Sequence, residues 1–320
     1  MSIQYAPLSE FALLKIEGED SLSFLQGQLS QDMNAIRGAT ALLASYSNPK
    51  GRVFATLLLW QADDEANSYY ALVSADNAAF LQKRLSMFVL RAKVKISVIE
   101  AQLTGVWSND FEVLKQAFPA AQAISTQAQQ TDKPSFTVIA DNEQYFIHYP
   151  SSDTAIRLLN VVVGEHSHQF DEFTLSSSQV WQQQDILAGI PWIKEQTREV
   201  FVAQSINQDA IGAINFKKGC YPGQEVIARS HYLGNLKRRT LIATLNQAID
   251  NTQSLLASDV LEGENPIGQV VNAVTLDDKT YLLIEVQLRS IEDGAEITLA
   301  NMAGASLQVQ TVPYSLEKPE

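Results

Sequence analysis

Lys217 to Arg239 reads KKGCYPGQEVIARSHYLGNLKRR, and the rest of the chain is best read outward from it. The stretch holds six Lys or Arg, at 217, 218, 229, 237, 238 and 239, against the single acid Glu225. It therefore carries +5 in a chain of formal net charge −13, leaving −18 for the remainder. A cationic island in an anionic protein has two readings. It holds an anion such as a carboxylate tail, or it pairs with the protein's own surplus acids. Within it, Tyr221-Pro222-Gly223-Gln224 is a strong turn sequence, and Gly219 permits close backbone approach before Cys220. Cys220 is thus expected on a tight exposed loop beside Lys217 and Lys218, where cations favour the thiolate. The other reading is a small buried hydrophobe, as free cysteines often are.

Cys220 is the one cysteine among 320 residues, which excludes a disulfide framework and fits a reducing compartment. The four histidines, His148, His166, His168 and His231, show no helical metal-ligand spacing, so no metal site is expected. Hydrophobic residues make up 46% and charged residues 18%, a globular mix with enough chain for two or three cores. The acidic balance disfavours direct nucleic-acid binding. Met1 to Glu10 carries no positive charge, and the longest apolar run, Val53 to Trp60, is far short of a bilayer span. A cytoplasmic protein with no membrane partner is the expectation.

Phe11 to Glu17 alternates as a strand, and Asp20 or Ser21 opens a helix with Leu22, Leu25, Leu29 and Met33 on one face. Ala41–Ser47 and Arg52–Trp60 form a hairpin across Asn48-Pro49-Lys50-Gly51. Tyr69–Ser74 reads as a strand. Asp76 caps a helix burying Phe80, Leu81, Leu85, Phe88 and Val89. Lys93–Ile99 places Val94, Ile96 and Val98 on one face, and Asn109–Phe118 reads as a helix. Residues 120–135 read as a surface connection, followed by strands Phe136–Ala140 and Tyr145–Tyr149. Thr174 opens a helix to about Ala188, ended by Gly189 and Pro191. From Thr240 onward, short alternating strands between glycines indicate a small all-β unit.

Lys218 to Glu225, K-G-C-Y-P-G-Q-E, resembles the K-G-C-Y-x-G-Q-E hallmark of the YgfZ family. These are folate-binding, tRNA-modification-associated relatives of the glycine-cleavage aminomethyltransferase (T-protein). The resemblance extends to G-E-D-S-L-S-F-L-Q-G-Q-L-S-Q-D (Gly18 to Asp32), N-P-K-G-R (Asn48 to Arg52), G-I-P (Gly189 to Pro191), G-A-I-N-F-K-K-G-C (Gly212 to Cys220) and P-Y-S-L-E (Pro313 to Glu317). It implies an α+β, three-domain aminomethyltransferase-like fold with antiparallel sheets and a small C-terminal β-barrel. The implied domains are 1–52 plus about 150–238 (folate-binding), about 53–149 (ferredoxin-like) and about 239–320 (barrel). The implied ligand is tetrahydrofolate or a derivative, and the implied partners are iron–sulfur tRNA-modifying enzymes such as a methylthiotransferase.

The resemblance makes Cys220 the functional thiol, within a motif of Lys218, Gly219, Tyr221, Gly223, Gln224, Glu225 and Arg229. It carries folate contact to Trp181 and to Phe11, where the family has a second tryptophan. Phe11 keeps an aromatic face but loses an indole N–H. From the residues alone, Trp181 reads equally as helix core. T-proteins carry a catalytic aspartate where this chain has Gly51-Arg52-Val53-Phe54-Ala55-Thr56, without a carboxylate. Aminomethyl transfer needs a positioned acid or base. The expectation is therefore an accessory protein supporting tRNA methylthiolation and iron–sulfur enzyme maintenance rather than a turnover enzyme. The alternatives are a folate-dependent one-carbon transferase or demethylase, or a structural scaffold.

Overall fold

Two strands adjacent in sequence lie almost at opposite ends of the main sheet, and this decides its shape. The computed structural model describes residues 2–62, 67–118, 134–141, 144–151, 155–164, 170–232, 234, 236–300 and 302–317. Eleven described strands follow one another in the spatial order Thr174–Leu175, Gln4–Pro7, Ala101–Ser108, Ile156–Val163, Gln144–Tyr149, Phe136–Asp141, Thr40–Ser47, Val53–Gln61, Ser68–Ser74, Phe11–Glu17 and Lys95–Ile99. Gln4–Pro7 and Phe11–Glu17 are eight strand spacings apart. Laid flat, that is roughly 38 Å at about 4.8 Å per strand. The chain from Pro7 to Phe11 reaches at most about 14 Å. The sheet must therefore curl until its ends approach. The short link is bonded to both sides of the resulting seam: the Leu8 N–H donates to the Leu103 carbonyl, and the Glu10 carbonyl accepts from Ala75 N, each at 2.9 Å.

The curl gives the sheet an inside and an outside, and the period-2 alternation of strands fills both. Leu13, Trp60, Tyr70, Tyr145 and Leu159 face the inner core. Leu14, Ile16 and Leu59 face outward, under α1 (Ser21–Gln28) and α2 (Ala75–Ser86). Val106, Phe146 and Leu158 are covered by α3 (Phe111–Ala117). Burial on both faces explains why Val53–Gln61 is nearly continuous in apolar residues rather than alternating.

A second sheet orders Met302–Ser306, Ile297–Leu299, Asp259–Glu262, Asn265–Leu276, Lys279–Gln287, Arg238–Leu245 and Gln308–Gln310, around its own core of Leu241, Val260, Leu282 and Ile284. Its other face joins the central core through Ile242, Val271, Val274 and Leu283. The whole is an α+β fold of two sheets, antiparallel except where Thr174–Leu175 pairs with Gln4–Tyr5, one of them a nearly closed, barrel-like curl.

Most expected elements form, and the differences have local causes. The helix after Asp20 ends at Gln28. Leu29 turns extended, and Met33 enters a separate short 3-10 turn rather than continuing the face. The helix expected from Thr174 starts at Ser178, because the Ser177 Oγ accepts the Gln179 N–H at 3.2 Å. Thr174–Leu175 is instead a short strand parallel to Gln4–Tyr5. α2 stops at Ser86, which leaves Phe88 41% exposed, and Val98 is 42% exposed although Ile96 is buried. The region read as a turn around Tyr221 continues into a helix, α5 (Gln224–Tyr232), with α4 (Ser178–Leu187) before it in the chain. Residues 119–133, most of the expected surface connection, and His166 and His168 lie outside the described residues.

The second sheet is tied to the first unit by a buried ion pair. Arg239, 2% exposed, donates from Nη1 and Nη2 to the two oxygens of Asp209 at 2.6 and 3.1 Å, and from Nη1 to the Gln204 carbonyl at 2.9 Å. Arg239→Met should lower stability by about 3–5 kcal/mol, because Asp209 is left charged and unpaired in the interior. Adding Asp209→Leu should restore much of that loss. Urea midpoints of the single and double variants check it, and a single variant within ~1 kcal/mol of wild type would contradict it.

Candidate functional site

The seam of the curled sheet opens a cleft, and its walls come from four separate segments. Glu10 and Phe11 come from the seam itself, Ser74 from the end of its strand, and Gln182, Asp185 and Ile186 from α4. Ile190, Trp192 and Lys194 follow that helix, and Asn272 and Ala273 come from the second sheet. The free space, counted to the mouth, is about 380 Å³.

The segment after α4 is fixed before it reaches the cleft. Gly189, at φ +69°, lies against the Tyr314 ring, where a Cβ would come within 2.7 Å of a ring carbon. Tyr314 Oη donates to the Gly189 carbonyl at 2.7 Å. Thr56 Oγ1 donates to the Pro191 carbonyl at 2.8 Å. Trp192 is then held at three points. Its N–H donates to Asn272 Oδ1 at 3.0 Å, its carbonyl accepts from Asn272 Nδ2 at 2.7 Å, and its indole Nε1 donates to Asp185 Oδ2 at 3.0 Å. Asn272 reaches this position at a bulge between Val270 and Asn272, which re-aims side chains locally. The Phe11 ring meets Trp192 edge-on, with centroids 4.8 Å apart at 69°. Together they make a rigid aromatic wall.

The electrostatics of the cleft are set by burial. Asp185 is buried, with Oδ1 accepting from Arg157 Nη2 at 2.8 Å. Desolvation pushes its carboxyl upward, and Arg157 and Trp192 pull it back. Glu10 is pushed up to about 7, chiefly by burial and further by Asp185, against smaller help from its own backbone N–H, Lys194 and Gln182. Neither of its carboxylate oxygens is exposed, and neither reaches full hydrogen-bond geometry. Burial lowers Lys194, opposed by Asp76 and Glu10.

Of the two aromatic residues singled out in the sequence, Phe11 lines the cleft and Trp181 does not. Trp181 is 1% exposed, on the core side of α4. One side packs on the sheet at Gly105, where a Cβ would come within 2.5 Å of the indole. The Arg157 guanidinium covers the ring at 4.5 Å, and Tyr149 flanks it with centroids 5.0 Å apart. Trp192 is the indole on the cleft, and sequence reasoning missed it. Glu10 and Asp185 were missed too. Asp185 follows Trp181 by four residues and so shares its face, a readable sign of a buried acid. Glu10 has no local sign, because only closure of the sheet buries it.

The cysteine loop forms a second site. Residues 212–218 lie along residues 26–31: Ser30 Oγ donates to the Ala213 carbonyl at 2.7 Å, and Asn215 N donates to the Ser30 carbonyl at 2.9 Å. Lys218 is buried, and its Nζ donates to the carbonyls of Gln26, Leu29 and Gln31 at 2.6, 2.6 and 2.9 Å. It caps the C-terminal end of α1, where carbonyls lack intrahelical partners and the dipole favours a cation. Desolvation lowers its pKa to about 8. Tyr221 is buried under this ammonium. Gly223, at φ +83°, abuts the Asn48 carbonyl, where a Cβ would come within 2.5 Å, so the Asn48–Gly51 hairpin turn and the start of α5 interlock. This leaves Gly219 and Cys220 exposed at the tip, Gln224 half-buried, and Glu225 and Arg229 exposed on α5. His231 stacks on Phe216 at 3.7 Å.

The cationic island is therefore not one anion site. Lys218 serves backbone carbonyls, Arg239 serves Asp209, and Arg238 pairs with Glu285 at 3.1 Å. Desolvated cations must be paired, and the buried Lys218 and Arg239 are, while Arg238 keeps 40% of its side chain in solvent. Lys217, Arg229 and Lys237 remain exposed, and none of them lines the cleft. Cys220 does not line it either. No group of three or more His, Cys, Asp or Glu suited to a metal occurs among the described residues, and no described helix is long and apolar enough to cross a membrane.

Comparison with known proteins places this geometry in context. No family model matches the chain. It is 29% identical over 325 residues to the tRNA-modifying protein YgfZ of Klebsiella pneumoniae (strain 342), covering 97% of this chain and 92% of that protein. It is 27% identical over 316 residues to the protein of the same name from Colwellia psychrerythraea (strain 34H / ATCC BAA-681), with the same coverage. The glycine cleavage system aminomethyltransferase T of Bartonella henselae superposes with a TM-score of 0.67 at 12% identity, covering 99% of this chain and 87% of that one. That likeness is one of fold.

The titration of Glu10 should be visible in stability. Its folded pKa, about 7, exceeds its ordinary value of 4.5, so the folded state holds the proton more tightly. Stability attributable to Glu10 is present below pH 4.5 and is lost as pH rises through about 7. His148, lowered to about 4 by burial, gives the opposite slope below its ordinary 6.5 and is common to both proteins compared. Glu10→Gln should therefore gain on wild type by about 1–3 kcal/mol between pH 4.5 and 8, measured by urea denaturation. A constant difference across that range would show that Glu10 titrates normally.

Proposed function

We propose that this chain, a member of the YgfZ family of tRNA-modifying proteins on an aminomethyltransferase-like fold, binds a reduced folate in the Phe11–Trp192 cleft and supports tRNA modification through Cys220. The observation that carries the folate reading is the immobilised aromatic wall beside a buried carboxylate. A flat heterocycle gains most from rings that need no ordering on binding. In this reading the folate-binding unit, residues 1–52 with about 150–238, supplies most of the cleft, and the 239–320 unit closes it with Asn272.

The relatives' names support a role in tRNA modification. We infer that the finer role is upkeep of iron–sulfur enzymes that methylthiolate tRNA. Cys220 suits it: the thiol stands at the tip of a loop whose base is locked by Lys218, Tyr221 and Gly223. One thiolate falls short of the four ligands a cluster normally takes, so it acts with a partner protein or a small thiol.

Tetrahydrofolate should quench tryptophan fluorescence mainly through Trp192. Trp192→Ala should weaken binding by roughly 1–3 kcal/mol, and Trp181→Phe should leave both quench and affinity nearly intact. Titrations of the folded variants decide this, and the opposite ranking would move the ligand to the Trp181 side. For the cysteine, a strain lacking the gene is complemented with wild type or Cys220→Ala, and methylthiolated tRNA nucleosides are measured by mass spectrometry. Full rescue by the alanine variant would sink the thiol's role.

A further inference from the structure

We infer that Glu10 and Lys194 together read the 2-amino-4-oxopyrimidine edge of the ligand, which fixes its orientation and excludes the 4-amino analogue. The inference rests on the folate reading of the cleft and goes beyond it by assigning the edge to two residues. Glu10 brings a carboxylate whose two oxygens are buried and short of full hydrogen bonds. Buried polar atoms in folded proteins are normally satisfied, so such a carboxylate in a cleft wall is left for a ligand. Two acceptors side by side, neither with a full hydrogen bond, match two parallel N–H donors, as in any bidentate pairing with a carboxylate. Asp185 cannot play this part, because Arg157 and Trp192 occupy its oxygens.

Lys194 lines the same cleft, and Glu10 and Lys194 feel each other's charge. An ammonium is a donor without acceptor capacity. The walls therefore present acceptor, acceptor and donor. A 2-amino-4-oxopyrimidine ring presents the complement: the 2-amino group, the ring N–H and the 4-oxo oxygen. A 4-amino ring places a donor against the ammonium and loses that match. Phe11 and Trp192, an edge-to-face pair at 69°, supply the aromatic side of the same cleft. Pterins and guanine share this edge, so the chemistry alone admits both sources, and the folate reading favours the pterin.

The test titrates full-length protein with 5-formyltetrahydrofolate, folic acid, its 4-amino analogue aminopterin, and guanosine, by calorimetry at pH 8. Wild type should bind folic acid at least tenfold tighter than aminopterin. Glu10→Gln should lose at least tenfold in affinity for folic acid. Lys194→Met should narrow the gap between folic acid and aminopterin. If Glu10→Gln unfolds, Glu10→Asp, which withdraws the carboxylate by one methylene, takes its place. Folate binding by wild type with unchanged affinity in the Glu10 variant overturns the edge assignment and leaves the folate reading standing. Preference for guanosine over every folate supports the edge and overturns the folate reading. Binding of none of the four overturns both.

Discussion

Asn272 forms two hydrogen bonds with the backbone of Trp192, and Asp185 forms one with its indole. Much of the molecule converges on this residue. Asn272 belongs to the C-terminal sheet, Asp185 to α4, and Arg157, which holds Asp185, to a central strand of the curled sheet. Arg157 also donates to the carbonyls of Pro150 and Trp181. One aromatic side chain is thus fixed by three elements distant in sequence. A buried ion pair of this kind contributes little net stability by itself, but it penalises any arrangement that leaves either charge unpaired. Its effect here is to specify one orientation of the cleft wall.

The cleft exists because the sheet cannot be flat. A link of three residues between strands eight spacings apart forces closure, and the seam of that closure is where Glu10 loses water. Burial then raises its pKa, and Asp185 raises it further. The chemistry of the cleft is in this sense a consequence of strand order. Side chains at a seam stand next to residues from the opposite end of a sheet, so charges that a flat sheet would expose are desolvated without a dedicated pocket.

The cysteine loop obeys a different constraint. Lys218 reaches inward to the open end of α1, Tyr221 packs beneath it, and Gly223 lies against the Asn48–Gly51 turn. These three contacts hold the base of the loop so that its tip, Gly219 and Cys220, projects into solvent. Residues around the thiol serve its presentation: Lys218 spends its charge on carbonyls. The two sites share no lining residue, and a function that uses both would couple them through the fold or through a partner.

The sequence by itself determined seven of the eleven described strands of the curled sheet, missing Gln4–Pro7, Ala101–Ser108, Ile156–Val163 and Thr174–Leu175, and it also determined the Asn48–Gly51 hairpin, the C-terminal β unit and the loop that exposes Cys220. Each is written in alternation, proline and glycine placement, or a local motif, and each depends on residues a few positions apart. It also marked Phe11, whose aromatic face does line the cleft. Only the tertiary structure decided that Trp192 and not Trp181 faces the cleft, because both indoles stand near the same G-I-P element and only packing against Gly105 and Asn272 separates them. The cations of Lys217–Arg239 look alike in sequence, yet three of them have different partners, at Leu29, Glu285 and Asp209. Glu10 gave no sign at all. Its character comes from desolvation, and desolvation is a property of what surrounds a residue in space, which no local pattern of side chains encodes.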